Sequence, residues 1–293
     1  MKLKYSKPMP SEGGAAVPGC GTIHITEVES TLTKLSDDLE FPFDLNEFVI
    51  GSTGKSEYSG DIDVVIDKAW YDGSVEDLHQ DLKSLYKTED IARNGAMLHL
   101  KYPIENFDKQ YAERLPRTGF VQVDFMFGDL EWEQFFHYSH GSESGYKGFH
   151  RNIAISAITR ATAIVFSNDV DDYGRPVSLE RWKWSPKGLL RVIRSSRPRA
   201  NGAPGWVKTQ TDEVIDGPYK DRNFIASTIF PKDGTPDDLN SLETILAAIK
   251  RNYSATVQET IYKRIAASFN EKDDALYFSY PPEIERYFNP DDK

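Results

Sequence analysis

The stretch that decides the fold is residues 48–67, FVIGSTGKSEYSGDIDVVID. An apolar run enters a loop of Gly and Ser residues, and the loop leads into a second apolar run that begins with Asp61 and Asp63. Alternate side chains of a β-strand share one face, so the two carboxylates are predicted to project together while Ile62 and Val64 point into a core. Two carboxylates on a rigid face suit Mg²⁺, and small loop residues let backbone N–H groups approach phosphates. The stretch therefore predicts a site for a metal and a nucleotide.

A third carboxylate lies downstream, in a run that is typical of a buried strand. Residues 119–128 read GFVQVDFMFG, and Asp124 is the one acidic residue among them. An unpaired charge in a protein interior costs several kcal/mol, so Asp124 is expected to face a cation. A site for two metal ions needs a further carboxylate from a neighbouring strand, and Asp124 is the candidate.

The combination of Gly-Ser, then Ser-Gly-Asp-Ile-Asp-Val, then a distant Asp in an apolar run resembles the DNA polymerase beta-type nucleotidyltransferase superfamily. The resemblance is closest to the catalytic palm of the family X polymerases and covers roughly residues 45–155. It implies that Gly51 and Ser52 hold a triphosphate and that three carboxylates hold two Mg²⁺ ions, with Mn²⁺ as an alternative ion. By position in the motif these carboxylates are Asp61, Asp63 and Asp124.

A second similarity lies at residues 136–142, FHYSHGS, which resemble the Tyr-Phe-Thr-Gly-Ser turn that faces the nucleotide in family X. It implies nucleotide contacts from Tyr138, Ser139 and Gly141. The basic residues beyond the turn, Lys147 and Arg151, are similarly placed to the start of the family's basic helix.

The chain also departs from family X. The loop before Asp61 is one residue shorter and carries Thr53-Gly54 where the family has a phosphate-binding arginine, so Lys55 is the candidate for that contact. About 45 residues precede the motif, too few for the helix-hairpin-helix domains of these polymerases. A templated DNA polymerase is therefore not expected.

Cations and tryptophans alternate in a predicted hairpin at residues 179–193. Residues 175–208 contain nine Lys or Arg and a single acid, Glu180. Tryptophans interleaved with cations can bind single-stranded nucleic acid by stacking and phosphate attraction. The alternative, in which Trp182 and Trp184 pack inward beneath a solvated basic face, stays open. The candidate acceptor-binding residues of the hairpin are Arg181, Lys183, Lys187 and Arg191.

Composition limits the class of protein. The chain of 293 residues is 39% hydrophobic and 12% aromatic, enough for a sizeable core. Its net charge of −11 argues against indiscriminate nucleic-acid binding. The single cysteine, Cys20, excludes an intrachain disulfide and fits a reducing compartment. The sequence shows no leader segment, and its longest apolar stretch, residues 153–166, is too short to cross a bilayer. We expect a cytoplasmic protein without membrane contact.

Hydrophobic periodicity predicts the elements around the motif. A helix is expected over residues 28–39 behind a capping box at residues 26–29, and Ser74 is expected to cap a second helix. A strand is expected over residues 96–102, where His99 and Lys101 share a face. These two side chains can line the catalytic face, although a solvated or hydrogen-bonded structural role is favoured.

The remainder of the chain reads as a second domain. A long helix is predicted over residues 147–166, a long loop over residues 195–222, and two amphipathic helices after that loop. The predicted fold class is α+β, with a mixed-sheet nucleotidyltransferase palm followed by a smaller α+β thumb-like domain. The predicted layout is an irregular arm at 1–21, the catalytic domain at 22–145 and an acceptor-binding domain at 146–293.

These observations predict a Mg²⁺-dependent nucleotidyltransferase that moves a nucleoside monophosphate from a triphosphate to an acceptor hydroxyl and releases pyrophosphate. A polynucleotide 3′ end is the favoured acceptor, because of the basic hairpin and the family resemblance. The alternatives are transfer to a protein or small molecule, and an inert nucleotide-binding module on the same fold. The sequence leaves open the base, the sugar, the use of a template and the oligomeric state.

Overall fold

The computed structural model describes residues 16–51, 53–54, 57–109, 117–137, 146, 148–162, 164–165, 178–198, 206–270 and 281–287. Contacts between residues divide the chain into two compact units, Met1–Tyr138 and Ser139–Lys293. Both units combine helices and strands, so the predicted α+β class is confirmed. None of the helices in the described ranges has the length and apolar character needed to cross a membrane.

The described part of the first unit holds these elements in chain order: β1 (Ile23–His24), α1 (Ile25–Asp38), β2 (Val49–Ile50), β3 (Tyr58–Ser59), β4 (Asp61–Asp67), α2 (Val75–Leu85), β5 (Ile91–Asn94), β6 (Met97–Pro103), β7 (Phe120–Gly128) and α3 (Leu130–His137). Five of the strands form a mixed sheet with the order β2-β4-β7-β6-β5. Strands β4 and β7 run parallel, and the other neighbours run antiparallel. A separate antiparallel pair is formed by β1 and β3.

The core of this unit lies on one face of the sheet. Side chains of one parity from β4, β6 and β7 are completely buried there, together with leucines of α1 and α2. Burying each such side chain contributes roughly 1.5–3 kcal/mol, which fixes the strand register. The side chains that alternate with them along the same strands are therefore held on the opposite face of the sheet. The buried core residues of these strands are Ile62, Val64, Ile66, Leu98, Leu100, Val121, Val123 and Phe125.

The first helix begins earlier than its sequence pattern indicates. Helix α1 contains the predicted apolar positions except Leu39, which is its C-cap. Its N-cap is His24, so the predicted capping box at residues 26–29 is wrong. The His24 ring accepts from the Thr26 N–H at 3.3 Å, and the Glu27 carboxylate accepts from the His24 N–H at 3.0 Å. The helix starts directly after β1, so the capping box lies two residues earlier than predicted, at residues 24–27. The predicted cap at Ser74 is confirmed for α2.

The described part of the second unit holds these elements in chain order: α4 (Gly148–Ala161), β8 (Ile164–Val165), β9 (Ser178–Ser185), β10 (Gly188–Pro198), β11 (Trp206–Tyr219), α5 (Arg222–Ile229), α6 (Leu242–Asn252), α7 (Ala255–Asn270) and α8 (Pro282–Glu285). The four strands form an antiparallel sheet with the order β11-β10-β9-β8. The predicted hairpin is confirmed, since β9 and β10 pair around a turn at Pro186 and Lys187.

Two predictions for this unit differ from the structure. The long loop expected at residues 195–222 contains the last part of β10 and the fourteen-residue strand β11. Residues 213–218 of this edge strand are exposed and mixed in character, so no inward-facing apolar alternation marks it as a strand. The long helix expected at residues 147–166 ends at Ala161, because the β-branched pair Ile164–Val165 joins the sheet beside β9.

Candidate metal centre on the sheet of the first unit

Three carboxylates meet on the face of the sheet opposite the core. Asp61 and Asp63 come from β4, and Asp124 comes from the parallel neighbour β7, where it is in register with Asp63. One carboxylate oxygen from each residue lies within 4.8 Å of the others. The structure thus brings together the three residues that the sequence proposed, although more than 60 positions separate Asp124 from the pair. Among the residues that the structure describes, no other group of three acidic, His or Cys side chains is placed to share a cation.

The electrostatics of this cluster favour a bound cation. Burial raises the pKa of Asp63 well above its usual value, and the neighbouring charges of Asp61 and Asp124 raise it further. Carboxylate oxygens are the ligands that Mg²⁺ prefers in proteins, and Mn²⁺ accepts the same donors. A divalent ion would remove the repulsion among the three groups. The donor set therefore fits the ions that the sequence predicts.

The turn before β4 passes directly against one of these carboxylates. Gly51 has φ +75°, and a Cβ atom built on it would lie 2.2 Å from Asp63 Oδ2. Only glycine combines this backbone conformation with this close approach. The turn continues through Thr53, whose buried hydroxyl donates to the Asp61 carbonyl at 3.3 Å. The backbone of the turn is thereby held next to the carboxylates.

The far end of the same loop is tied to the start of α1. Strand β1 pairs with β3, with His24 opposite Tyr58, and the rings of these two residues meet edge to face at 5.1 Å. The Ile25 N–H donates to the Glu57 carbonyl at 3.0 Å. These contacts fix the chain just before it enters β4 at Asp61.

Asp124 is held by two polar neighbours on its own face of the sheet. Gln122 Nε2 donates to Asp124 Oδ1 at 2.8 Å, and His99 Nδ1 lies 2.7 Å from the same oxygen. His99 thus has a hydrogen-bonded role beside the carboxylates. The sequence analysis missed Gln122, although its position two residues before Asp124 on a strand was a usable signal.

Several predicted nucleotide contacts cannot be placed. Ser52, Lys55, Tyr138, Ser139, Gly141 and Lys147 lie outside the described residues. Gly51 is the one predicted nucleotide-binding residue with a described position, and it lies against Asp63 of the candidate metal centre. The other predicted nucleotide contacts, and the acceptor contact at Lys147, stay predictions.

The predicted acceptor contact at Arg151 is not supported. Arg151 lies in α4 with 0% of its side chain exposed, so its guanidinium cannot reach a bound acceptor at the surface of the unit. Burial, with the nearby charge of Arg222, lowers its pKa to about 10. The sequence placed Arg151 near the start of a helix, but it did not show which face of that helix is buried.

The basic hairpin is less solvated than its sequence suggests. Asp212 of β11, which the sequence analysis placed in a loop, accepts contacts from three cations of the hairpin. The contacts are Arg181 Nη2 at 3.2 Å, Lys183 Nζ at 3.0 Å and Arg194 Nε at 2.7 Å. Arg181 is 6% exposed, so the solvated face predicted to include it is wrong at that position.

The remaining hairpin residues divide between surface and core. Lys187 is exposed at the turn, and Arg191 is exposed but pairs with Glu180. Trp184 is buried, and its Nε1 donates to Asn152 Oδ1 at 3.0 Å. This favours inward packing for Trp184 over stacking on a nucleic-acid base. Trp182 is partly buried and meets the rings of Tyr219 and Phe224 edge to face.

No protein-family model matches this sequence, and no curated protein is significantly similar to it. The resemblance to polymerase beta-type nucleotidyltransferases therefore depends on the motif residues themselves.

Proposed function

We propose that this protein is a Mg²⁺-dependent nucleotidyltransferase, with a polymerase beta-like palm in its first unit and a thumb-like second unit. The observation that carries the proposal is the cluster of Asp61, Asp63 and Asp124, whose oxygens lie within 4.8 Å of one another behind the Gly51 turn. In the reaction, an acceptor oxygen forms a bond to the α-phosphorus of a nucleoside triphosphate, and the bond to the β-phosphate oxygen breaks. Pyrophosphate leaves.

Each described residue of the centre has a place in this scheme. Asp61 and Asp63 would hold two ions, and Asp124 would share one of them and help to take the proton from the acceptor hydroxyl. When bound, the ions would stabilise charge on the attacking and leaving oxygens. Gly51 keeps the backbone of the turn close to Asp63, which allows its N–H groups to meet a triphosphate.

A polynucleotide 3′ end remains the proposed acceptor. Support for it comes from the exposed Lys187 and from the partly exposed Lys183 and Arg194, which share the single carboxylate of Asp212. The burial of Arg151 and Arg181 favours the second candidate, transfer to a protein side chain or a small molecule. The complete set of three carboxylates argues against an inert module. A cytoplasmic location, expected from the lone Cys20, belongs to the same proposal.

The test follows the label of an α-³²P-labelled triphosphate. The full chain is incubated with each NTP or dNTP, Mg²⁺ or Mn²⁺, and a mixed pool of RNA and DNA oligonucleotides. Label on oligonucleotides supports the polynucleotide acceptor, and label on protein or small molecules supports the alternative. Asp61→Asn and Asp63→Asn should each abolish transfer while the protein remains folded. Transfer that survives in either variant would refute the proposal.

A further inference from the structure

A chain of hydrogen bonds runs from the start of the described structure to the metal centre. The backbone N–H groups of Ala16 and Val17 donate to Gln122 Oε1 at 2.9 and 3.1 Å. The other end of the same amide, Nε2, donates to Asp124 Oδ1 at 2.8 Å. A backbone N–H can only donate, so Oε1 must face residues 16 and 17. The amide orientation is thus fixed, and Nε2 must face Asp124.

The same oxygen of Asp124 has a second donor. His99 Nδ1 lies 2.7 Å from Oδ1, and a metal-binding carboxylate can only accept, so the proposed site requires the hydrogen to be on Nδ1. Two donors use both lone pairs of Oδ1, which leaves Oδ2 for a cation. The two contacts also fix the rotation of the carboxylate about its Cβ–Cγ bond. Asp124 is therefore prepared to bind through one oxygen.

These hydrogen bonds are buried, so water cannot readily replace them. Val17 is 1% exposed, Gln122 is 2% exposed and Asp124 is 6% exposed. Residues 16–21 are also attached to β7 farther along, since the Gly21 N–H donates to the Phe120 carbonyl at 2.8 Å. Loss of the Gln122 donor would leave the buried Oδ1 of Asp124 with only one of its two hydrogen bonds, which is unfavourable.

We propose that Gln122 is a positioning residue for Asp124, and that the backbone of residues 16 and 17 acts on the metal centre through it. This inference rests on the proposed function, because it assigns Asp124 to a bound cation. Donors that orient metal ligands commonly change metal affinity by about 10–100-fold when they are removed. A merely structural Gln122 would hold residues 16–21 on the sheet without affecting the cation.

Gln122→Met separates these two roles, because methionine has a similar length and makes neither hydrogen bond. Mn²⁺ binding is measured by electron paramagnetic resonance, and stability by thermal unfolding without metal. The proposal expects the Mn²⁺ dissociation constant to rise by about 10-fold or more. The matched control is Gln80→Met, which removes an exposed hydrogen bond to Glu76 and should leave Mn²⁺ affinity unchanged.

The contribution of residues 16 and 17 is tested by a double-mutant cycle. Ala16→Pro removes one N–H donor and adds no charge, whereas Ala16→Gly keeps the donor. Ala16→Pro should weaken Mn²⁺ binding in the wild-type chain and have no further effect in the Gln122→Met background. An equal effect in both backgrounds would overturn the hydrogen-bonded path. Should Gln122→Met fail to fold, Ala16→Pro against Ala16→Gly carries the test, because both leave Gln122 in place.

Different results would refute the positioning role of Gln122 and the proposed function. If Asp61→Asn weakens Mn²⁺ binding but Gln122→Met leaves it unchanged, the positioning role is refuted and the proposed function stands. If neither variant changes Mn²⁺ binding, the metal centre itself is refuted, and this inference falls with it. Loss of stability in Gln122→Met with unchanged Mn²⁺ affinity identifies a structural role and also refutes the proposal.

Discussion

At the scale of single residues, the crowding around Asp63 links protonation to stability. Burial, Asp61 and Asp124 all raise its pKa, so the folded chain holds this proton more tightly than the unfolded chain does. The stabilisation from protonated Asp63 is fully present below the unfolded pKa of about 3.9 and is lost as pH rises through the folded pKa. If the candidate centre holds a divalent cation, we expect that ion to replace the proton above that value.

This linkage predicts the pH dependence of thermal unfolding. Without divalent ions, the difference in Tm between Asp63→Asn and the wild type should grow in favour of the variant as pH rises through the raised pKa. Mn²⁺ should raise the Tm of the wild type more at high pH than at low pH, and that of Asp63→Asn less. A difference in Tm that does not vary with pH would contradict the raised pKa.

A comparison of Gly51 with Gly54 tests whether the close approach of Gly51 to Asp63 matters. Both have positive φ, at +75° and +79°, but a Cβ on Gly54 would have nothing within 4 Å. Alanine at either position should therefore cost about 1 kcal/mol or more through backbone strain. Only Gly51→Ala should also displace the Asp63 carboxylate and weaken Mn²⁺ binding. Equal Mn²⁺ affinity in the two variants, measured by titration, would show that the turn does not shape the centre.

At the scale of elements, Glu27 joins the start of α1 to the chain around β7. Its carboxylate accepts from the N–H groups of His24 and Asp108, at 3.0 and 2.9 Å, and pairs with the buried guanidinium of Arg117. Burial alone would raise the pKa of Glu27, but the hydrogen bonds from Arg117, Asp108 and His24 hold it below its usual value. The stability that Glu27 supplies is thus present above about pH 4.3 and lost as pH falls through the lowered folded pKa.

Removing the Glu27 carboxylate should destabilise the fold. Glu27→Ala removes the carboxylate that pairs with the buried guanidinium of Arg117, and we expect a loss of about 3–5 kcal/mol in the free energy of unfolding. Glu29→Ala on the same helix removes an exposed carboxylate and should change stability by about 0.5 kcal/mol or less. Denaturant titration of both variants at neutral pH measures the difference. Similar midpoints for the two variants would exclude the structural role of Glu27.

At the scale of the whole molecule, a net charge of −11 requires any polynucleotide contact to be local. Lys187→Glu acts on an exposed cation of the hairpin turn, whereas Lys263→Glu acts on an exposed cation of α7 that pairs with Glu259. If the hairpin binds a single strand, Lys187→Glu should lower the slope of log affinity against log salt by roughly 0.7 or more. Lys263→Glu should not change that slope. Fluorescence anisotropy with labelled oligonucleotides measures both, and equal slopes would favour the protein or small-molecule acceptor.

The sequence predicted the parts of this molecule that depend on local periodicity. The alternation in β4 and β7 placed the three aspartates on one face, and leucine spacing identified α1 and α2. It could not predict β11, whose exposed edge position allows polar side chains. Nor could it show that Asp212 pairs with cations of the hairpin or that Gln122 accepts hydrogen bonds from Ala16 and Val17, because those contacts join segments far apart in the chain.

The parallel register of β4 and β7 has a genetic consequence. Asp63 faces Asp124 only while the count of residues from Phe120 to Asp124 is kept, because alternate positions of β7 belong to opposite faces. Loss of a single codon between these positions would either turn Asp124 into the core or bring a core residue into the site. In a library of in-frame codon deletions, β7 should therefore be among the least tolerant segments. Codons 213–216 should tolerate deletion more often, because they lie in the exposed part of edge strand β11.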